Sequence, residues 1–337
     1  MTRRQVHLRT ITTTAAALGA TAMLMSGCGG SSGGSGNLSL VAYSTPKEVY
    51  GKLIPAFQAT SAGKGVNFDQ SYGASGEQSR AVASGLGADV VNFSLAPDVD
   101  RLVKAGIVDA GWASGPTKGM VTDSVVAFVV RPGNPKNIHT WADLVRPGVE
   151  VLTPNVFTSG GAKWNTMAAY GAQIKTGKTP AQARQYLADL YSHVSVQDKS
   201  AREALQTFTA GKGDVLLSYE DEAILAEKSG QKVTHVVPDQ TLLIENPIAV
   251  TKNSKHAAQA KAFVDYAESA AGQAVFGAAG YRPVLPAVAA KFNFPTPKTL
   301  FTIADLGGWD TVNTTFFDPD NGVVAKIFKD RGISVGN

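Results

Sequence analysis

Residues 37–59 read NLSLVAYSTPKEVYGKLIPAFQA and decide the fold class. The alternation of apolar residues over residues 37–43 is typical of a strand, and residues 46–59 carry apolar side chains at helical spacing. Pro46 lies at the predicted start of that helix, where a backbone N–H is not needed. A strand followed directly by a helix is the repeating unit of a parallel α/β sheet.

The same alternation continues along the chain. We predict strands at residues 66–69, 88–94, 124–131, 150–153, 194–196 and 214–219, and an extended segment at 242–251. Helices are predicted at residues 76–86, 97–105, 140–145, 160–172, 180–190, 201–210, 221–228 and 257–269. This pattern favours an α/β fold with mainly parallel strands flanked by helices. Ligands of such sheets bind beyond the carboxyl ends of the strands.

Four short stretches place small Ser, Gly or Ala residues where helices are predicted to begin. They are residues 43–48, 73–78, 158–162 and 199–203. Thr45, Ser75 and Ser200 are each followed three residues later by Glu or Gln, which predicts capping boxes. The free N–H groups and the positive dipole end of a helix start attract anions. Several such starts aimed at one point predict a site for a small dianion.

Residues 1–27 have the features of a secretion signal. Arg3, Arg4 and Arg9 precede an apolar, uncharged run at residues 11–25 that is too short for a comfortable membrane span. Residues 24–28 (LMSGC) resemble a bacterial lipobox, and Cys28 is the one cysteine of the chain, so it forms no internal disulfide. We predict a lipid on Cys28 and a Gly/Ser-rich tether over residues 28–37.

Charge argues against a nucleic-acid partner. The chain has 31 Lys and Arg against 27 Asp and Glu, a net charge of +4, and three of the arginines lie in the predicted signal. The remaining basic residues form no stripe that would follow a nucleic acid.

Motifs with catalytic, metal or nucleotide chemistry are incomplete. Residues 171–179 resemble a P-loop but have one residue too many between the glycines and follow a helix. The histidines after the signal stand singly, without metal-ligand spacing. Ser75 lacks a nucleophile-elbow context and an evident base. The acidic residues 220–222 fit a solvated helix start better than catalytic carboxylates. We predict no catalytic residue, no metal and no cofactor.

Segments spread through the predicted mature chain resemble the bacterial sulfate-binding proteins of ABC sulfate/thiosulfate importers. They are residues 69–76 (DQSYGASG), 88–91 (ADVV), 128–136 (FVVRPGNPK), 153–155 (TPN), 159–165 (SGGAKWN), 213–216 (GDVL), 281–283 (YRP), 300–303 (LFTI) and 307–309 (GGW). The resemblance implies a type II periplasmic-binding-protein fold, with two α/β lobes joined by two hinge crossings near residues 120–128 and 242–249. Lobe 1 is then residues 38–122 and 246–308, lobe 2 residues 123–245, and residues 309–337 form a C-terminal tail.

The resemblance also implies the binding residues, because the family holds sulfate with neutral hydrogen-bond donors only. The matching positions here are the backbone N–H groups of Ser44, Ser159, Gly160, Gly161 and Ala201, the hydroxyl of Ser75 and the side chain of Tyr219. At position 219 the family has a Trp indole donor, so the Tyr219 hydroxyl is its expected counterpart.

We therefore expect a lipid-anchored, extracytoplasmic, monomeric receptor for sulfate, with thiosulfate as a second ligand. It would deliver the ion to the membrane permease subunits of an ABC importer and catalyse nothing. The alternative within the same class is a molybdate- or tungstate-binding protein. The alternative of another class is a surface-anchored hydrolase of sulfate or phosphate esters, which would need a metal or an activated nucleophile.

Overall fold

The strand and helix predicted within residues 37–59 are present as β1 (Leu38–Tyr43) and α1 (Lys47–Gln58). They belong to a computed structural model that describes residues 37–333 and residue 335. β1 lies between two parallel neighbours, β2 (Phe68–Gly73) and β3 (Val90–Asn92). A strand in this central position is covered on both faces, which explains its nearly continuous apolar sequence.

Seven further strands extend the sheet to ten. They are β4 (Met120–Val130), β5 (Val151–Leu152), β6 (Val194–Val196), β7 (Val215–Tyr219), β8 (Thr234–Val236), β9 (Gln240–Val250) and β10 (Thr299–Phe301). The order is β2-β1-β3-β9-β4-β7-β5-β6, with β10 beside β9 and β8 beside β4. The groups β2-β1-β3 and β7-β5-β6 are parallel, as predicted. β9 is antiparallel to β3, β4 is antiparallel to β7, and β9 and β4 are antiparallel to each other. The sheet as a whole is therefore mixed.

Helices flank the sheet. After α1 they are α2 (Ser75–Ala83), α3 (Ala96–Lys104), α4 (Gly160–Lys175), α5 (Pro180–Ser192), α6 (Ala201–Thr209), α7 (Glu220–Lys228), α8 (Ala257–Glu268), α9 (Ala270–Ala279), α10 (Pro286–Ala289), α11 (Gly308–Val312) and α12 (Val323–Asp330). The helix predicted at residues 140–145 is a short 3-10 helix, Trp141–Val145.

The sequence prediction missed elements whose residues carry little periodic signal. The strand predicted at residues 66–69 lies later, as β2, because this edge strand reads FDQSYG and has a mostly polar composition. α9 was not predicted, since its sequence AAGQAVFGAA is apolar on nearly every side. The helices after it were also missed, because residues 287–337 were too rich in Pro and aromatic residues to assign.

Two long strands connect the parallel groups. The first half of β4 pairs with β9, for example Val125 with Leu243, and its second half pairs with β7, for example Phe128 with Leu217. The end of β9 pairs with β3. The predicted hinge crossings, residues 120–128 and 242–249, therefore fall inside these two strands. The hinges and the lobe boundaries themselves stay predictions.

Separate hydrophobic clusters cover the two parallel groups. One surrounds Tyr50 and Phe263, where α1, α8 and α9 pack on the β1 side of the sheet. Another surrounds Trp164 on α4 and includes Phe301 on β10 and Phe328 on α12. Phe301 lies in the range expected for lobe 1, but β10 pairs with the beginning of β9 and so packs with the α4 cluster.

Candidate anion-binding site

Three helix starts are neighbours beyond the carboxyl ends of the strands. α2, α4 and α6 begin after β2, β5 and β6, respectively. The N–H of Gly76 in the first turn of α2 donates to the Thr158 carbonyl oxygen before α4, over 3.2 Å. A Cβ atom on Gly161, at the start of α4, would lie 3.3 Å from the Cβ of Ala201 at the start of α6. Their N-termini therefore contribute positive dipole ends to one region.

Gly160 and Gly161 lie where a side chain has no space. A Cβ atom on Gly160 would lie 2.5 Å from the Oγ of Ser94 and 2.7 Å from a methyl group of Leu95. On Gly161 it would lie 2.9 Å from the ring of Tyr219. Glycine is therefore needed at both positions for the start of α4 to approach the chain segments that follow β3 and end β7.

Ser159 and Ser200 both cap their helices, the second as predicted. The Ser159 Oγ accepts from the N–H of Ala162, over 3.4 Å. The Ser200 Oγ accepts from the Glu203 N–H, and the Glu203 carboxylate accepts from the Ser200 N–H, so this capping box is confirmed. The two caps fix the backbone direction just before the donors expected at Gly160 and Ala201.

The capping boxes predicted at Thr45 and Ser75 are wrong. α1 has Pro46 at its N-cap and no side-chain cap, because the Thr45 hydroxyl lies 3.4 Å from the Tyr281 hydroxyl instead. Glu48, the expected partner in that box, accepts a hydrogen bond from Arg202. Ser75 is the first residue of α2 and not its cap.

The Ser75 hydroxyl is engaged with two buried groups. Its Oγ donates to the Asp98 carboxylate over 2.6 Å and accepts from the Ser94 N–H over 3.0 Å. Asp98 also pairs with Arg101 over 2.8 Å. Ser75 thus lies within the site region, but its single proton already has an acceptor.

Tyr219 lies at the N-cap of α7 with 1% of its surface exposed. Its hydroxyl oxygen lies 2.6 Å from the Ser94 Oγ. Burial, as the largest cause, raises the pKa of the phenol well above its usual value, so it remains a neutral donor. The ring packs against Tyr43, the last residue of β1.

Ser44 follows β1 directly and is partly buried. Its neighbours on both sides reach the other groups of the site. Tyr43 contacts the Tyr219 ring, and the Thr45 carbonyl oxygen accepts from Arg202 over 3.0 Å. Arg202 follows Ala201, so the chain after β1 lies against the start of α6.

The sequence interpretation missed Ser94. It lies just after β3, at a carboxyl end where ligands of α/β sheets bind, so its position in the predicted strand 88–94 was an available signal. Besides its contacts with Ser75 and Tyr219, its carbonyl oxygen accepts from the Trp164 indole and the Asn246 amide, over 2.8 and 2.9 Å. The Trp164 side chain is fully buried and packs against Trp309.

The acidic residues at the start of α7 are buried, so the predicted solvated helix start is wrong. Glu220 is paired with Arg282 through two hydrogen bonds of 2.6 and 3.0 Å. Glu222 is paired with Arg202 in the same way. These ion pairs neutralise two of the three carboxylates at the start of α7.

Asp221, between them, is different. It is 1% exposed, and neither carboxylate oxygen has a hydrogen-bond partner among the described residues. Loss of hydration, followed by repulsion from Glu222, raises its pKa to about 8. Asp221 is therefore mainly protonated and neutral at pH 7. The start of α7 thus adds little free negative charge to the site region.

The described residues contain no sign of a metal site or of a membrane-spanning helix. Within residues 37–333 and 335, no group of three or more His, Cys, Asp or Glu side chains is arranged to hold a metal ion. In the same residues no helix combines the length and apolarity needed to cross a membrane. The predicted signal, tether and lipidated Cys28 lie outside the described residues, apart from Asn37 at the end of the tether.

Comparison with known proteins decides the family. Residues 38–282 match the family described as bacterial extracellular solute-binding protein. The chain belongs to this family. Membership agrees with an extracytoplasmic location and with a role in solute binding.

Individual relatives of this solute-binding protein refine the comparison. The sulfate-binding protein of Synechococcus elongatus is 43% identical, with 95% of this chain and 96% of the relative covered. The thiosulfate-binding protein of Escherichia coli is 35% identical, with 82% and 86% covered. The solved structure of the sulfate-binding protein SubI from Mycobacterium tuberculosis H37Rv is 50% identical, with a TM-score of 0.82 and 84% and 99% covered. The predicted resemblance and the α/β periplasmic-binding-protein fold are confirmed.

Proposed function

We propose that this solute-binding protein captures sulfate outside the cytoplasm and delivers it to the permease subunits of an ABC importer. The observation that carries the proposal is the approach of the starts of α2, α4 and α6: the Gly76 N–H donates to the Thr158 carbonyl oxygen over 3.2 Å, and a Cβ atom added to Gly161 would lie 3.3 Å from the Ala201 Cβ. Backbone N–H groups at the starts of α4 and α6, with that of Ser44 after β1, give the expected backbone donors without a charged side chain.

Sulfate suits such a site because at neutral pH it carries no proton and only accepts hydrogen bonds. A hydrogen bond to a charged group contributes about 1.5–3 kcal/mol. The Ser159 N–H already donates to the Asn155 carbonyl oxygen over 2.9 Å. The four other backbone donors and a hydroxyl can offset the lost hydration and the entropy of ordering the site. We expect net binding of about −8 kcal/mol, which corresponds to a micromolar dissociation constant.

The relatives support sulfate as the ligand, since two of those described above are named for sulfate and align over most of their length. Thiosulfate shares three oxygens with sulfate, and the Escherichia coli relative named for it supports it as a second ligand. Molybdate and tungstate are the alternatives within this class.

Calorimetric titration of the full chain with sulfate, thiosulfate, molybdate, tungstate and phosphate at pH 7 tests the proposal. We expect one sulfate per chain and phosphate at least tenfold weaker, because the main forms of phosphate carry a proton that donors alone cannot accept. Tighter binding of molybdate than of sulfate would reassign the ligand. Phosphate within tenfold of sulfate would contradict a site made of donors only.

The proposal includes no catalysis, and this point needs its own assay. Incubation with nitrophenyl sulfate and nitrophenyl phosphate should release no nitrophenol above the buffer rate. Turnover proportional to protein concentration, retained through purification, would favour the ester hydrolase.

We also propose that a lipid on Cys28 anchors the protein. The support is the position of the one cysteine after the signal-like residues 1–27 and before a Gly/Ser-rich stretch. Cys28→Ala should move the protein from the membrane fraction to the medium or soluble extract. A mutant that stays with membranes after a salt wash would contradict the anchor.

A further inference from the structure

Two hydroxyl groups in the site region form a pair across the fold. The Ser94 Oγ follows β3, the Tyr219 hydroxyl ends β7, and they lie 2.6 Å apart although 125 positions separate them in sequence. Each has the other as its only hydrogen-bond partner among the described residues. The pair contains two protons and one mutual hydrogen bond, so one proton is left without an acceptor.

Both hydroxyl-bearing residues border the glycines at the start of α4. The Ser94 Oγ would touch a Cβ on Gly160 at 2.5 Å, and the Tyr219 ring would touch one on Gly161 at 2.9 Å. Both residues are 1% exposed, so bulk water does not readily accept a hydrogen bond from the remaining O–H group. The remaining donor of the pair is therefore located beside the backbone N–H groups expected to hold the anion.

Ser75 cannot supply this donor in the same structure. Its proton goes to the buried Asp98 carboxylate over 2.6 Å, a charged acceptor that binds it more strongly than a neutral one would. The same oxygen accepts from the Ser94 N–H, which fixes the backbone at Ser94. Ser75 therefore helps to position Ser94.

We infer that the Tyr219 hydroxyl donates to the bound sulfate, that Ser94 positions it by donating to the Tyr219 oxygen, and that Ser75 positions Ser94. This inference rests on the proposed sulfate site. The direction follows from the chemistry of the two groups, because the aromatic ring draws electron density from the phenol oxygen and makes its O–H a better donor than an aliphatic hydroxyl. Accepting a hydrogen bond from Ser94 polarises the phenol and strengthens its own donation.

The pair also contributes to ligand selection. A protonated oxyanion would have to donate to the Tyr219 oxygen and reverse the order of the two hydroxyls. Since Ser94 is inferred to reach the anion only through Tyr219, its own proton would then have no acceptor among the described residues. The relay is therefore matched to an unprotonated oxyanion, and Ser94 acts on specificity without contributing a direct contact.

A double-mutant cycle on the full chain tests the inference, with sulfate affinity measured by calorimetry at pH 7 for Ser94→Ala, Tyr219→Phe and the double variant. Tyr219→Phe should weaken binding about 10- to 100-fold, because one hydrogen bond to a charged ligand is lost. Ser94→Ala should weaken it about 3- to 10-fold. The double variant should match Tyr219→Phe within about twofold, since Ser94 acts only through Tyr219.

Tyr191 and Thr166 provide a matched control. Their hydroxyls also form a buried pair, 2.8 Å apart, between α5 and α4. Tyr191→Phe and Thr166→Val should lower the thermal unfolding temperature and leave sulfate affinity within about twofold of wild type. One sulfate bound per chain in every variant would show that each has folded.

Each other outcome overturns the inference in a recognisable way. Strictly additive losses would mean that the two hydroxyls act independently. Equal losses in Ser94→Ala and the double variant, with a smaller loss in Tyr219→Phe, would make Ser94 the terminal donor. Unchanged affinity in all three would assign the pair to packing. If wild-type protein binds no sulfate, the proposed function fails instead.

Discussion

Arg202 forms two hydrogen bonds with the buried carboxylate of Glu222, of 3.0 Å from Nε and 2.6 Å from Nη2. This bidentate pair joins the start of α6 to the start of α7, and the same guanidinium reaches the Thr45 carbonyl after β1. Since Ala201 is expected to donate to the anion, an ion pair at the next residue holds that donor in position without placing a free charge beside the ligand.

Arg202→Leu should lower the free energy of unfolding by about 3–5 kcal/mol, because it leaves the Glu222 carboxylate buried and unpaired. The double variant Arg202→Leu/Glu222→Leu should recover most of this loss, since apolar replacement of both partners removes the unpaired charge. Urea denaturation of the three proteins measures both effects. A double variant no more stable than Arg202→Leu would mean that the loss arises from packing or from the Thr45 contact.

Gly160→Ala should weaken sulfate binding at least about tenfold. The added Cβ would lie 2.5 Å from the Ser94 Oγ and 2.6 Å from the Ser94 Cβ, so either Ser94 or the start of α4 must move. Calorimetry measures the affinity.

Gly51→Ala is the control, because Gly51 lies inside α1 and a Cβ there meets no atom within 4 Å. This change should raise stability by about 0.5–1 kcal/mol and leave affinity unchanged. Normal binding by Gly160→Ala would contradict the close approach of α4 to Ser94.

Ser75→Ala should lower the free energy of unfolding by more than the loss of a direct ligand contact alone would. The change deprives Asp98 of one hydrogen bond and leaves the buried Ser94 N–H without an acceptor, each at a cost of about 1–3 kcal/mol. Chemical denaturation should show this loss without sulfate. In the Ser94→Ala background, Ser75→Ala should reduce affinity by less than about threefold. A full 10- to 100-fold loss in that background would restore Ser75 as a direct donor.

Asp221 should make stability depend on pH. Its pKa is about 8 in the folded protein and about 3.9 in an unfolded chain, so the folded state holds an extra proton between these values. The free energy of unfolding therefore falls as the pH rises through this window, and the contribution is fully lost above pH 8. From pH 6 to pH 8 the loss due to this residue is on the order of 2 kcal/mol.

Asp221→Asn keeps the shape of the neutral acid and cannot ionise. Urea denaturation at pH 6, 7 and 8 should show a shallower decline than in wild type, whereas the exposed Asp320→Asn should follow the wild-type curve. Parallel curves for wild type and Asp221→Asn would mean that Asp221 finds a hydrogen-bond partner in solution.

Local sequence patterns predicted much of the fold. Apart from β8, the alternating strands and helices from β1 to α8 were identified, because the periodicity of apolar side chains reports which face of an element is buried. The Ser200 capping box was predicted correctly, since all its partners lie within four residues. The boxes at Thr45 and Ser75 failed because distant groups, Tyr281 and Asp98, compete for the same hydroxyls.

The sequence by itself determined the α/β class, the positions of most helix starts and the residue types expected around an anion. Only the tertiary structure decided which side chains meet, such as Ser94 with Tyr219 and Glu222 with Arg202. Helix starts are specified by neighbouring residues, whereas hydroxyl and ion pairs depend on strands far apart in sequence lying side by side. Burial of Asp221 likewise follows from packing, which no local pattern reports.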